Sequence, residues 1–149
     1  MATTTINYGT ENQITLTAPS SGNARESTAV DNSSTKAVDY LCRISFTAGT
    51  VTGLQLVLVY AYGSADGTNY ESVCTGSDAA ITLRNPDVLM PVAAIQLPTS
   101  SVAYKKVFTI AKAWDGVMPK KWGLVLLNDG GGTLSSLAIY YTPIKYDVA

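Results

Sequence analysis

Any chemistry done by this chain must come from two cysteines, eleven carboxylates, ten basic side chains, nine tyrosines and two tryptophans, because it contains no histidine. Without imidazole there is no Ser-His-Asp triad, no Cys-His pair, no usual zinc site and no usual neutral-pH proton shuttle. Cys42 and Cys74 are too far apart for a C-x-x-C, and two cysteines cannot form a metal quartet. Cys42 stands between Tyr40 and Ile44 on the apolar side of an alternating run and reads as a small buried hydrophobe. Cys74 falls in a loop, a position open to exposure. A Cys42–Cys74 disulfide would require that loop to fold back.

Asp66, Asp78, Asp87, Asp115 and Asp129 all fall in predicted loops. Loops gathered at one end of a sandwich can converge on a Ca²⁺ ion, which takes carboxylates and carbonyls. The commoner reason for aspartate in loops is that its side chain bonds the nearby backbone. No D-x-D-x-D-G ladder is present, and no local pattern suggests a glycosidase pair. Asp129-Gly130-Gly131-Gly132 lacks the lysine and the following helix of a phosphate-cradling loop and reads as a hairpin tip. Tyr60, Tyr62, Tyr70, Tyr104, Tyr140, Tyr141 and Tyr146, with Trp114 and Trp122, form an aromatic-rich set. Such rings stack on sugars in carbohydrate-binding sandwiches, or pack across strands and subunit interfaces, which is the more usual use. The doublets Lys105-Lys106 and Lys120-Lys121 suit acidic groups on a neighbour or, more commonly, a guarded sheet edge. The residues themselves thus give no catalytic, cofactor-binding or metal site, and no enzyme activity is expected.

The elements that would carry these groups are strands. From Ala37 to Thr47, Val38, Tyr40, Cys42, Ile44 and Phe46 share one face, the period of two of a half-buried strand. Leu54 to Tyr62 is apolar on both faces and predicts a central strand covered on both sides. Further strands are expected over Ala79–Leu83, Val92–Leu97, Val102–Ile110, Trp122–Asn128 and Leu137–Tyr146. Asn85-Pro86-Asp87 ends the first of these, and Pro143 interrupts the last. Gln13–Thr17 and Arg25–Val30 read as short strands in a polar N-terminal section, and Ala111–Trp114 as a single helical turn. About eight strands with turns between them and no long helix predict an all-β fold: an antiparallel β-sandwich, jelly-roll-like, with an extended N-terminal arm. The expected organisation is a polar arm over residues 1–23 and one sandwich domain over 24–149.

The 149 residues carry a net charge of −1, with 14% charged and 46% hydrophobic residues. That is an ordinary globular hydrophobicity at roughly half the usual charge, which points either to non-polar surface covered by a partner or to a surface solubilised by hydroxyls and amides. The near-neutral balance offers no basic field for nucleic acid or an anionic membrane. The longest near-apolar stretch, Leu54–Tyr62, is far too short for a transmembrane helix. Met1-Ala2-Thr3-Thr4-Thr5-Ile6 has no basic segment followed by an apolar one, so no signal peptide is expected.

Four stretches, taken in order, carry a resemblance. They are Ala24-Arg25-Glu26-Ser27-Thr28-Ala29-Val30-Asp31-Asn32-Ser33-Ser34-Thr35, Val59-Tyr60-Ala61-Tyr62-Gly63-Ser64-Ala65-Asp66-Gly67-Thr68-Asn69-Tyr70, Thr75-Gly76-Ser77-Asp78-Ala79-Ala80 and Gly116-Val117-Met118-Pro119-Lys120-Lys121-Trp122-Gly123. With the Ala138-Ile139-Tyr140-Tyr141 ending, the chain after residue 23 resembles small virion structural proteins of tailed bacteriophages, of the capsid decoration (cement) type. The resemblance implies a non-enzymatic jelly-roll protein on the outer surface of the capsid, assembled in the host bacterial cytoplasm. It would act as a homotrimer that bridges capsomers of the major capsid protein, without nucleic acid, membrane or cofactor. The alternative is a phage tail or baseplate component, or a glycan-binding β-sandwich of the virion. The resemblance brings no catalytic or contact residue with it, and residues 1–23 lie outside it.

Overall fold

The computed structural model describes residues 2–84 and 87–148. It contains eleven strands: β1 (Thr4–Tyr8), β2 (Asn12–Gln13), β3 (Ala24–Glu26), β4 (Val30–Asp31), β5 (Asp39–Thr47), β6 (Leu56–Ser64), β7 (Ala79–Ile81), β8 (Met90–Gln96), β9 (Ala103–Thr109), β10 (Lys121–Asp129) and β11 (Ser135–Val148). One 3₁₀ turn, Ala111–Trp114, lies at the helical turn expected there and closes on Asp115, which takes a left-handed conformation at φ 54°. The break expected at Asn85-Pro86 lies outside the described residues.

All pairings are antiparallel and form two sheets. The first runs β1-β11-β5-β9, with β2 also on β11; the second runs β7-β3-β10-β6-β8, with β4 also on β10. β2 continues the line of β1, β4 continues that of β3, and β7 is an added edge. Numbering the eight principal strands in chain order gives sheets 1-8-3-6 and 2-7-4-5, which is the jelly-roll order. The expected all-β antiparallel sandwich is therefore the observed fold.

Alternation places the core. On β5, Tyr40, Cys42, Ile44 and Phe46 are buried, as their spacing predicts, whereas Val38 lies before the strand and is exposed. They meet Val57, Val59 and Ala61 of β6 and Trp122, Leu124 and Leu126 of β10 in one cluster. The second sheet is also covered on its outer face. The long connection between β6 and β8 returns over it and encloses Tyr62, Cys74, Leu89, Ala24 and Val125. This explains why β6 is apolar on both sides. The expected strand start at Leu54 is displaced: that side chain is almost fully exposed and precedes the strand.

The first 23 residues lie along the sandwich. β1 and β2 pair with β11, and Ile14 enters the core at 4% exposure. Pro143 separates β1 from β2. Gly9 donates its N–H to the Pro143 carbonyl at 2.9 Å. In a strand the N–H and C=O of one residue point the same way, so the donor that proline lacks belongs on this side. The partner strand is interrupted there, while β11 itself continues through Pro143. The proline expected to interrupt β11 interrupts its neighbour instead. Gly9 suits the site because a Cβ would lie 2.6 Å from the Pro143 ring.

Candidate functional site

Asp66 and Asp87 bond the backbone of their own turns, whereas Asp78 bonds distant segments. Asp66 accepts the Thr68 and Asn69 backbone N–H groups, each at 2.8 Å, and the side chains of Ser64 and Asn69. Those backbone bonds, then the side-chain ones, hold its carboxyl well below the usual range. Asp78 pairs with Arg25 at 2.6 Å and takes bonds from Thr17. Burial pushes its carboxyl up, but these bonds outweigh that and lower it overall. Asp87 caps the Arg84 and Leu89 amides and accepts from Ser72. Among the described residues no three His, Cys, Asp or Glu side chains gather as metal ligands. The turn-forming reading accounts for the backbone bonds of Asp66 and Asp87, whereas Asp78 ties together distant segments.

The glycine run is a hairpin tip between β10 and β11. Asn128 ties it down, accepting from the Gly130 amide and donating to the Gly132 carbonyl, and Ser21 Oγ donates to the Gly130 carbonyl. Gly131 and Gly132 pack so close to Thr50 that a Cβ on either would lie 2.6 Å from its backbone. This is a packed corner, with no open cradle for phosphate.

Both cysteines are free and buried. Cys42 is in the core as expected. Cys74 lies in a loop but is buried, because the β6–β8 connection tucks it against the second sheet. Burial, then the Glu26, Asp87 and Glu71 carboxylates nearby, push its thiol up to about 12. Neither thiol is placed to act as a nucleophile at neutral pH.

The aromatic set divides. Trp122 is fully buried, 4.7 Å from the Tyr40 ring and 5.4 Å from that of Tyr141. Tyr62 is also fully buried, and Tyr104 stacks on Phe46. Trp114 donates its indole N–H to Glu71 at 3.0 Å beside Tyr70, in a shallow cleft of about 270 Å³. Tyr8 and Tyr146 are exposed.

Those two tyrosines mark the surface left uncovered. On the outer face of the first sheet, β1 presents Thr4, Ile6 and Tyr8, and β11 presents Tyr140, Ile144, Tyr146 and Val148. Leu41 and Arg43 of β5 and Val107 of β9 complete it. Ile6, Tyr8, Tyr146, Val107 and Val148 are all more than half exposed. Arg43 lies 3.9 Å above the Tyr140 ring and bonds Glu11 through two nitrogens at 2.7 and 2.8 Å. That bond, more than the field of the charge, lowers the Glu11 carboxyl and raises the Arg43 guanidinium. The paired charge shares this face with Lys105 of β9, the cross-strand partner of Ser45, and the rest of the face is mainly apolar and hydroxyl-bearing. Such a surface suits contact with another protein. Reading the sequence strand by strand missed it, because its members are neighbours only through pairings between distant segments.

No family model matches the chain, and no curated protein matches it.

Proposed function

We propose that this chain is a non-enzymatic structural protein of a tailed-phage virion, a capsid decoration protein that bridges capsomers of the major capsid protein and stabilises the head. The observation that carries the reading is the asymmetry of the sandwich. One sheet is covered on its outer face by the chain's own connection, and the other offers an uncovered apolar and tyrosine-rich face. Asp66 and Asp87 are spent on their own turns, Asp78 on Arg25 and Thr17, and both thiols are buried. What remains on offer is a contact surface on a stiff sandwich. Binding only the assembled shell would raise the free energy needed to separate capsomers, by linkage. Several copies around a symmetry axis, a trimer in the form the resemblance implies, would multiply modest contacts.

The test is a reconstruction of purified particles with copies counted per shell. Copies across the whole shell support the proposal. Copies at a single vertex would make this a tail or baseplate component, and a head that lacks it would end the proposal.

The cleft that holds Trp114, Tyr70, Asn69 and Glu71 favours a second reading, a glycan-binding virion protein. A glycan array with wild type and Trp114→Ala decides it: ring-dependent binding supports this reading, and no binding by wild type removes it.

A further inference from the structure

We infer that β1 is a self-association edge, at which two copies of this chain pair antiparallel through Thr4–Tyr8 about a two-fold axis at Ile6. The inference concerns the isolated protein and stands apart from the virion reading. The edges of the two sheets are β1 and β9 in the first and β7 and β8 in the second, with the two-residue β2 and β4 continuing the β1 and β3 lines. Natural edges are blunted by lysines, prolines, bulges or brevity. β9 carries Lys105 and Lys106. β8 carries Pro91 beside a shift of register against β6. β7 has only three residues. β1 has none of these devices: Thr4-Thr5-Ile6-Asn7-Tyr8 holds no charge, proline or glycine and pairs with β11 without a shift.

The polarity of the ladder shows which groups are free. Val38 donates to the Ile144 carbonyl and Gly9 to that of Pro143, on opposite sides of β11. Even-numbered residues of β11 thus turn their backbone groups toward β5 and odd-numbered ones toward β1. The even partners of β1 are Val148, Tyr146 and Ile144, opposite Thr4, Ile6 and Tyr8. In such a non-bonded pair both residues point away from each other. Thr4, Ile6 and Tyr8 therefore direct their N–H and C=O groups outward from the sheet edge, with Ile6 central.

A second copy turned about Ile6 meets those groups with its own. Ile6 exchanges both bonds with its counterpart, and Thr4 stands opposite Tyr8. No like charges oppose each other, as they would if the Lys105-Lys106 edge paired with itself. An isologous contact of this kind also closes, so it makes a pair and no fibre. The pairing answers a local weakness as well. Lys145–Val148 pair with β1 alone, so the ends of β1 and β11 form a two-stranded ribbon beyond β5. Ile6, Tyr8, Tyr146 and Val148 are exposed on its one face. Two strands alone are marginal in water, and pairing makes the ribbon four strands wide.

The experiment is sedimentation equilibrium of the full chain from micromolar to millimolar concentration. The expected result is a mean mass that doubles with concentration. Ile6→Pro removes the central outward donor but leaves the β11 ladder intact, so it should abolish the doubling while the circular dichroism spectrum is retained. Ile6→Lys sets two ammonium groups across the axis and should weaken pairing about tenfold at low salt, with partial recovery at high salt. No doubling in wild type, or doubling retained in both variants, overturns the inference.

Discussion

The ring of Tyr62 lies across Gly123 of the adjacent strand and fills the space a Cβ there would need, while its hydroxyl donates to the Ser27 carbonyl at 2.6 Å. The residues are direct cross-strand partners on the outer face of the second sheet, beneath the β6–β8 connection. An aromatic ring enclosed in this way has nowhere to move. Gly123→Ala should destabilise the fold by about 1–3 kcal/mol through overpacking. Tyr62→Phe keeps the ring and leaves a buried carbonyl without its donor, at about 1–2 kcal/mol. Urea denaturation of the two variants checks both, and a neutral Gly123→Ala would mean that the ring is free to shift.

Glu26 holds the same connection from below. Its side chain is fully buried and accepts the Thr75 amide, the Thr75 hydroxyl and the Gly76 amide at 2.8–3.1 Å. An acceptor here satisfies donors of a loop that has no sheet partner. Glu26→Ala strands two backbone N–H groups and should cost about 2–4 kcal/mol. Glu26→Gln keeps one acceptor oxygen and should cost less. Hydrogen exchange should show residues 70–78 opening before the strands in both variants, whereas uniform exchange would show that the carboxylate does not anchor that loop.

Alternation made the core side of β5 readable, because a strand covered on one face must place Tyr40, Cys42, Ile44 and Phe46 together. It could not say what covers Tyr62 and Val125, since that depends on the β6–β8 connection turning back over the sheet. Glu26, between Arg25 and Ser27, has every local sign of an exposed charge, and only the loop brought over it shows otherwise. β1 escaped for a related reason: Thr4–Tyr8 is polar apart from Ile6 and Tyr8, and its partner lies at the other end of the chain. Pro143 marked a real interruption, but the affected strand follows from which way its missing donor points. The uncovered face of Leu41, Val107, Ile144 and Tyr146 exists only once β1, β11, β5 and β9 are in register.

The buried thiols set an alkaline limit on stability. The Cys74 thiol ionises near 9 when free and is pushed up to about 12 in the fold by burial and the neighbouring carboxylates. Burial raises Cys42 and Tyr62 further. Between those two pH values the unfolded chain has released the Cys74 proton and the folded chain keeps it, so unfolding releases protons and stability falls as pH rises. The contribution should be whole below pH 9 and decline toward pH 12, as read from denaturation midpoints. At pH 8 an aromatic disulfide reagent should leave both thiols unlabelled in the folded protein and label two per chain in denaturant. Rapid labelling of Cys74 in the folded protein would show that the connection above it opens readily.

The N-terminal residues separate into two parts with different jobs, and truncation should reveal the boundary. Residues 2–10 contribute β1, whose five residues are all exposed and bury nothing in the core. Ile14 is in the core, with Leu16 and Ala18 packed against it. Removal through Thr10 should therefore preserve the fold, at the cost of the β1 ladder, with a thermal midpoint only a few degrees lower. It should also abolish any pairing through Ile6. Removal through Ala18 strips Ile14 and Leu16 from between the sheets and leaves a void. Loss of one such side chain typically costs about 2–5 kcal/mol, so losing both should leave the domain unfolded or barely stable. If the longer truncation melts like the shorter one, Ile14 adds nothing to the core. If the shorter one already unfolds the protein, the β1 ladder is essential to the sandwich.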